Sequence, residues 1–246
     1  MRIAAMSDIH GNIAALKAVL ADIERRGISK IVNLGDTISG PFDAKGTADL
    51  LMSLDLPTVR GNHDRQLYDR PKAEMGKWEA WVIDDLSSDH GEWLRSFPLT
   101  LEVDGLFLCH ATPAKDDENW LDFRSPADRL VARDLAEVEA RLGSVSAPMI
   151  LCGHTHTPRS VKLPNGQRIA NTGSVGCPAY LDTRFDPAFV HQTGAPDARY
   201  AIVESVEDDW RVDLVGVPYD PSEMIALAKA KGAENWVRAI STGWVA

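Results

Sequence analysis

The chain has 246 residues, of which 44% are hydrophobic and 25% are charged, and these are ordinary values for a globular protein. The 36 acidic and 26 basic residues give a formal net charge of −10, which argues against a nucleic-acid-binding surface. No apolar run approaches the ~20 residues of a membrane span, and three cysteines without pairing spacings favour a reducing cytoplasm over a disulfide framework.

Strand-like apolar runs alternate with helical patterns in the first quarter of the chain. The strands are predicted at residues 2–7, 30–34 and 57–60, and the helices between them at residues 12–27 and 47–53. Alternation of this kind is typical of βαβ units, whose strands pair in parallel. The segment that follows, residues 65–95, is predicted to be helical.

Hairpins dominate the prediction for the second half. Asp104-Gly105 and Asn165-Gly166 are two-residue turn signals, and a third turn is predicted at residues 207–209. The strand pairs are predicted at residues 99–103 and 106–109, 160–163 and 168–170, and 200–206 and 210–215. The other elements are a strand at 149–152, helices at 125–142 and from Asp220-Pro221 onward, and a long loop at 183–199. Together they predict one α/β domain over residues 1–246 with two packed sheets.

Five short polar clusters follow the ends of predicted strands. They are Asp8-Ile9-His10, Gly35-Asp36, Gly61-Asn62-His63-Asp64, Cys109-His110 and Gly153-His154-Thr155-His156. Because the carboxyl ends of parallel strands lie along one edge of a sheet, we expect these side chains to converge on one site.

The converging side chains are of the types that bind transition metals. Imidazoles, carboxylates and an amide oxygen suit Mn, Fe, Ni, Co or Zn, whereas thiolate chemistry is not indicated. A single four-coordinate ion would leave too many ligands over, so two divalent ions are predicted. Two ions ~3.5–4 Å apart stabilise both the attacking and the leaving oxygen of an in-line displacement, which is the chemistry of phosphoester hydrolysis.

These motifs, in this order, resemble the calcineurin-like metallophosphoesterases, and among them the small prokaryotic phosphodiesterases. The resemblance covers residues 8–156 and is extended by the loop at 171–176. The Gly35-Asp36 motif continues with Thr37-Ile38-Ser39-Gly40, unlike the Asp-Arg-Gly of the protein Ser/Thr phosphatases. The resemblance implies an α/β/β/α fold, a two-sheet β-sandwich flanked by helices.

The resemblance also implies a role for each site residue. The first ion would be held by Asp8, His10 and His156, the second by Asn62, His110 and His154, with Asp36 bridging both. Manganese is the expected metal, and a hydroxide that bridges the two ions would attack phosphorus. His63 would stabilise the phosphoryl oxygens or protonate the leaving group, with Asp64 orienting its ring.

Other residues have simpler interpretations. His90 and His191 are predicted on the surface, and Trp78, Trp81 and Trp93 are assigned to helix core. Cys109 and Cys152 are expected to be buried and inert. The same is favoured for Cys177, with an exposed thiol near the site as the alternative. The charged segment at 115–122 is a candidate border of the substrate pocket. Candidate phosphate contacts are Arg124, Arg159 and Arg184.

The leading hypothesis is a cytoplasmic phosphodiesterase that acts on a small phosphoester, with no nucleic-acid or membrane partner. The first alternative is a phosphomonoesterase acting on a nucleotide or a phosphoprotein. The second is a non-catalytic binding scaffold of the same fold, which the filled ligand positions disfavour. The sequence leaves the oligomeric state open.

Overall fold

The computed structural model describes residues 1–183, 186, 188–207 and 209–245. The strands are β1 (Arg2–Met6), β2 (Ile31–Asn33), β3 (Thr100–Val103), β4 (Leu106–Cys109), β5 (Asp122–Arg124), β6 (Leu130–Ala132), β7 (Met149–Cys152), β8 (Arg159–Lys162), β9 (Arg168–Asn171), β10 (Ala179–Asp182), β11 (Phe189–Gln192), β12 (Ala198–Val206) and β13 (Asp209–Val217). The α-helices are α1 (Ile13–Arg25), α2 (Ala44–Leu54), α3 (Asn62–Asp69), α4 (Lys77–Ala80), α5 (Ser88–Arg95), α6 (Leu135–Ala140), α7 (Ser222–Ala230) and α8 (Glu234–Thr242).

The described strands build two main sheets. In the first sheet the order is β13-β12-β1-β2, with β1 parallel to β2 and antiparallel to β12. In the second sheet the order is β3-β4-β7-β9-β8, and β4, β7 and β9 run parallel. Two small hairpins, β5-β6 and β10-β11, lie outside these sheets.

The two main sheets share an apolar layer, because successive residues of a strand point to opposite faces. Ile3 and Ala5 of β1 belong to the same buried cluster as Leu106 and Leu108 of β4, so this cluster lies between the sheets. Ala4, on the other face of β1, packs with residues of α1. The outer face of the second sheet packs against α6. This α/β/β/α arrangement confirms the predicted fold class.

The hairpins and the first two helices are confirmed. Asp104 and Gly105 have φ angles of 54° and 79°, the left-handed conformation that the tightest hairpin turns require. The helix α1 begins after Asn12, whose side chain accepts a hydrogen bond from the backbone N–H of Ala15 at 3.1 Å. Asp43 caps α2 in the same way.

The prediction of one helical segment over 65–95 is wrong. The helices α3, α4 and α5 are separated by 3-10 turns at Lys72–Glu74 and Ile83–Asp85. Pro71 forces the preceding residue out of the helical region, and Arg70 is extended with φ −133° and ψ 148°. Ser87 then caps α5 with its side chain.

Three further predictions need correction. Residues 57–60 form no strand, because Thr58 contributes only an isolated parallel bridge to Asn33. Residues 125–142 contain β6 and the short α6, since the chain after Ser125 turns and the N–H of Asp128 donates to the carbonyl of Ser125 at 3.0 Å. In the described part of 183–199, β11 and the start of β12 replace the predicted loop.

The C-terminal helices α7 and α8 pack against the segment that carries α4. Trp236 of α8 is 2% exposed, and the Nζ of Lys231 donates to the carbonyl of Trp81 at 3.0 Å. Among the described helices, none combines the length and the apolar character that crossing a bilayer would need.

An ion-pair cluster ties α3 to the loop after β4. The Asp116 carboxylate accepts hydrogen bonds from Nε and Nη2 of Arg65 at 2.8 and 2.9 Å and from Nε of Arg60 at 3.1 Å. Burial raises the pKa of Asp116, but the two guanidinium groups outweigh it and lower the pKa below its ordinary value. Such a carboxyl stabilises the fold above the unfolded pKa of ~3.9, and this stabilisation is lost as pH falls through the folded pKa.

The Asp116→Asn substitution is therefore expected to lower the free energy of unfolding by about 1–3 kcal/mol at pH 7 and by less at pH 3. Urea unfolding at both pH values measures this difference. Asp117→Asn is the matched control, because the Asp117 side chain is 57% exposed and lies 3.5 Å from Arg65. Its effect is expected to stay below about 1 kcal/mol. An equal loss for Asp116→Asn at both pH values would contradict the electrostatic explanation.

Candidate metal centre

The candidate site lies where four strands of the two main sheets end. Asp8 and His10 follow β1, Asp36 follows β2, and His110 comes directly after β4. The pair His154 and His156 follows β7. Backbone hydrogen bonds join these loops, since Asp8 N–H donates to Gly35 at 2.9 Å and Gly153 N–H donates to His110 at 2.7 Å. The polar loops that follow β1, β2, β4 and β7 therefore lie next to one another.

Six of the seven predicted ligands form two groups. In each group one ligand atom per residue lies within 4.8 Å of the others; the groups are Asp8, His10 and His156, and Asp36, His110 and His154. His156 Nε2 lies 3.2 Å from Asp8 Oδ1 in the first, and His110 Nε2 lies 3.2 Å from Asp36 Oδ2 in the second. The groups are adjacent, because Asp8 Oδ1 is also 3.9 Å from His110 Nε2.

The seventh predicted ligand, Asn62, is the first residue of α3 and lines the same cavity as His154. The side-chain oxygen of Asn62, Oδ1 of Asp8 and Nε2 of His110 are all buried without a hydrogen-bond partner among the described residues. An unsatisfied buried polar atom costs about 1–3 kcal/mol, and a cation would satisfy all three. The residues present thus fit a divalent metal.

Three of the histidines are held by the ring nitrogen that faces away from the centre. Nδ1 of His10 lies 2.9 Å from Oγ of Ser39, whereas Nδ1 of His110 and of His156 donate to backbone carbonyls at 2.7 Å each. These bonds fix the ring orientation and leave Nε2 as the ligand atom, as partners of metal-binding histidines generally do.

The backbone of the ligand loops is strained. Asp8, His10, Asp36, His154 and His156 have φ angles of 55°, 50°, 54°, 68° and 57°. Each left-handed residue other than glycine costs on the order of 1–3 kcal/mol, and such residues concentrate at functional sites. Five of the seven predicted ligands adopt this conformation, so the surrounding structure enforces their placement.

Two glycines are required by close packing around the ligands. A Cβ at Gly61 would lie 2.0 Å from Oδ1 of Asp36, and a Cβ at Gly153 would lie 2.6 Å from Oδ2 of Asp8. Any side chain at either position would displace a predicted ligand. Steric exclusion therefore explains why Gly61 and Gly153 carry no side chain.

Burial and neighbouring charges set the protonation of the site. Burial lowers the pKa of both His10 and His154 to about 3, so both are neutral at pH 7. Burial also disfavours the charged form of His110, but the nearby carboxylates of Asp36 and Asp8 raise its pKa to about 10. A metal ion that binds this nitrogen must displace a proton.

The structure corrects the prediction for Asp64. Its carboxylate accepts hydrogen bonds from the backbone N–H groups of Asp36, Thr37 and Gly61 at 2.8, 2.8 and 2.9 Å. It also accepts one from the Thr37 hydroxyl at 2.6 Å. Asp64 therefore holds the loop that carries Asp36 and does not orient the His63 ring, because its oxygens are bound to the backbone.

The partner of His63 is Glu79 of α4. The His63 Nδ1 is hydrogen-bonded to Oε1 of Glu79, whose side chain is only 1% exposed. The His63 ring also stacks on the indole of Trp78 at 4.8 Å with an interplanar angle of 18°. Its backbone N–H donates to Oδ1 of Asp36 at 2.8 Å, which ties His63 to the ligand loop.

Sequence reasoning missed Glu79 and assigned Trp78 to helix core. Both lie on α4 and line the site cavity. Trp78 packs edge-to-face on Trp236 at 4.6 Å and on the predicted ligand His10 at 5.3 Å. A Trp-Glu pair on a four-residue helix has no sequence signature of its own, so the contacts depend on the fold.

A sequence model of the calcineurin-like phosphoesterase superfamily domain matches residues 1–195. The chain belongs to this superfamily. It is 30% identical over 233 residues to an uncharacterized protein of Methanocaldococcus jannaschii, and the match covers 89% of this chain and 88% of that one. The structure of a metallophosphoesterase from Sphaerobacter thermophilus is similar, with a TM-score of 0.75 at 24% identity and coverage of 99% of this chain and 100% of that one. This second likeness shows the shared fold.

The predictions for the cysteines and for the two histidines outside the motifs of this calcineurin-like phosphoesterase are partly confirmed. The three cysteines are buried, as expected. His90 and His191 are not surface residues; they are 4% and 6% exposed. His90 is hydrogen-bonded to Asp49, whereas the His191 ring lies 6.3 Å from the predicted ligand His156.

The candidate phosphate contacts separate into three cases. Arg159 is bonded to the buried Asp122 at 2.7 Å, which gives it a structural partner. Arg124 lines the site cavity and also binds Asp128 at 2.9 Å through Nε. Arg184 lies outside the described residues.

A cavity of about 940 Å³ is lined by four of the predicted ligands, Asp36, Asn62, His154 and His156. Residues 115, 117, 118 and 119 line it, so the charged segment does border the pocket as expected. Residues of α3, α4 and the hairpin β10-β11 line it as well.

Proposed function

We propose that this chain hydrolyses a phosphodiester with the aid of two divalent transition-metal ions, manganese being the first expected. The observation that supports this most strongly is the pair of adjacent buried groups, Asp8, His10 and His156 beside Asp36, His110 and His154. Bound there, such ions would supply Lewis acidity to the phosphoryl oxygens and lower the pKa of a water. Nitrogen and carboxylate donors suit Mn, Fe, Ni, Co and Zn.

In this proposal His63 is the residue that acts on the substrate oxygens. It lines the cavity beside Asn62 and His154 and is not a member of either candidate metal group. The hydrogen bond between Nδ1 and Glu79 fixes the orientation of the ring in the cavity, and in this proposal Nε2 acts on the substrate. A histidine in that position stabilises the phosphoryl oxygens or gives a proton to the departing oxygen.

Metal content and substrate preference test the proposal together. Purified protein is assayed for bound metal and then for hydrolysis of bis-p-nitrophenyl phosphate and p-nitrophenyl phosphate with added Mn, Ni, Co, Zn or Fe. Two ions per chain with faster diester hydrolysis are expected. Faster hydrolysis of the monoester would favour the phosphomonoesterase alternative. A protein without stoichiometric metal and without turnover would be a binding scaffold, and the proposal would be wrong.

The Glu79→Gln substitution is expected to lower kcat by about 10–100-fold, the size of effect known for carboxylates that orient metal-binding histidines, because Glu79 orients the His63 ring in the same way. The amide keeps the size of the side chain but removes the carboxylate that holds His63 Nδ1–H. Glu74→Gln is the matched control on the same segment, since Glu74 is exposed. Steady-state kinetics and metal content are compared for both variants. A Glu79→Gln protein with unchanged kcat would exclude this role for Glu79.

We also propose a cytoplasmic protein, since none of the three cysteines forms a disulfide. Fractionation of cells that express the chain tests this location.

A further inference from the structure

The site cavity is much larger than a phosphoryl group requires. Its volume is about 940 Å³, and cavities of about 300–1,000 Å³ hold whole drug-sized ligands. It extends from the ligands Asn62, His154 and His156 to the charged segment at 115–119 and the hairpin β10-β11. A substrate that fills it has a substantial group beside the phosphate.

Three aromatic side chains line the part of the cavity next to the metal ligands. We call Trp78, Tyr180 and Phe189 the aromatic wall. The Tyr180 ring lies edge-to-face on the ligand His156 at 5.0 Å, 6.3 Å from Trp78 and 6.0 Å from Phe189. The wall therefore begins directly beside the place where a phosphate would bind.

The remaining cavity residues argue against an aliphatic substituent. Among the described residues that line the cavity, Leu181 is the one aliphatic side chain. Polar groups that can donate or accept hydrogen bonds, Gln66, Asn119 and Thr183, line the same cavity. The apolar surface of the cavity is therefore largely aromatic, and a planar ring with polar edges would meet both this surface and the polar groups.

We propose that the substrate is a phosphodiester that carries a planar aromatic ring, and that the aromatic wall binds this ring. The inference rests on the proposed phosphoesterase function and adds the substrate class to it. Aromatic rings attract one another in edge-to-face and offset-stacked arrangements. Trp78 and Tyr180 are partly exposed, whereas Phe189 is 5% exposed and packs behind Tyr180. Nucleotides are the common biological phosphoesters with such a ring.

Phenylphosphonate and cyclohexylphosphonate form a matched pair of probes. They have the same charged group and nearly the same size, and their carbon–phosphorus bond is not hydrolysed by a phosphoesterase. Calorimetric titration of manganese-loaded protein gives Kd for each, and inhibition of bis-p-nitrophenyl phosphate hydrolysis gives an independent value. The phenyl compound is expected to bind about three- to tenfold more tightly.

Two variants connect this preference to the wall. Tyr180→Leu is expected to abolish the preference for phenylphosphonate, and Tyr180→Phe is expected to retain it. Because Tyr180 contacts the ligand His156, metal content is measured for both variants. Phe189→Leu repeats the test from β11 and is expected to weaken the preference as well.

The outcomes separate the two proposals. Hydrolysis of the diester with equal binding of the two phosphonates, or with tighter binding of the cyclohexyl compound, overturns the aromatic substrate class and leaves the phosphodiesterase function standing. A preference that persists in both Tyr180→Leu and Phe189→Leu also overturns the wall as its source. No binding of either phosphonate and no hydrolysis overturns the proposed function and this inference with it.

Discussion

The His110→Ala substitution is expected to remove one of two bound metal ions per chain and to lower kcat by at least about 10²-fold. Its ring is fully buried, and its Nε2 lies 3.2 Å from Asp36 Oδ2, an ion-pair contact that lacks hydrogen-bond geometry. Removal of the ring takes away a ligand atom that no neighbour replaces. Metal content by mass spectrometry, measured beside kcat, checks both parts of the expectation.

His90→Ala is the matched control for this experiment. His90 is also a buried histidine with a carboxylate partner, Asp49, but it belongs to neither candidate metal group. It caps α5, so its loss is expected to lower the melting temperature without changing metal content. A His110→Ala protein that still binds two ions would show that His110 is not a ligand.

Bound metal should also stabilise the protein against unfolding. A ligand that binds only the folded state stabilises it by RT ln(1 + [L]/Kd), which is about 2.7 kcal/mol at one hundred times Kd. Manganese is therefore expected to raise the melting temperature of the unsubstituted chain more than that of His110→Ala. An equal rise in both proteins would place the stabilising ion elsewhere.

The His63→Ala substitution is expected to lower kcat by about 10²–10⁴-fold on a diester with a poor leaving group, while metal content stays near that of the unsubstituted chain. His63 lines the cavity and is held by Glu79 and Trp78, and neither candidate metal group includes it. Loss of the ring removes the group proposed to act on the substrate oxygens but no member of the two candidate metal groups. Kinetics and metal analysis on one preparation check both parts.

The leaving group decides between the two roles proposed for His63. A proton donor matters more for phenolate or an alkoxide than for p-nitrophenolate, which leaves without assistance. If His63 protonates the leaving group, the loss in His63→Ala will be larger on methyl phenyl phosphate than on methyl p-nitrophenyl phosphate. An equal loss on both would indicate stabilisation of the phosphoryl oxygens, and unchanged kcat on both would exclude any direct role.

The predicted helical segment at residues 65–95 is broken into three helices, and this break explains why Glu79 lies beside His63. Leu67, Trp81 and Leu94 have the spacing of helical core residues, and all three do pack in one apolar cluster. Apolar spacing records which residues are buried but not where a helix breaks. Because the chain turns after Arg70, α4 is free to fold back over the site. The break in the helix after Asp69, and not the apolar pattern, allows Glu79 to form its hydrogen bond with His63.

The sequence by itself predicted the fold class and the polar clusters that the structure brings together. Each ligand motif follows a strand or begins a helix, and parallel strands bring their carboxyl ends to one edge whatever the remaining side chains are. Local order along the chain was therefore sufficient to assemble Asp8, His10, Asp36, His110, His154 and His156. The hairpin turns were equally local, since Asp-Gly and Asn-Gly specify their own backbone conformation.

Only the tertiary structure decided what surrounds those ligands. Asp64 is adjacent to His63 in sequence, yet its carboxylate binds backbone N–H groups. The His63 ring is instead hydrogen-bonded to Glu79, sixteen positions away. Trp236 reaches Trp78 across more than 150 residues. Contacts of this kind depend on how separate elements pack against one another, and packing is set by shape and burial in three dimensions, which spacing along a chain does not encode.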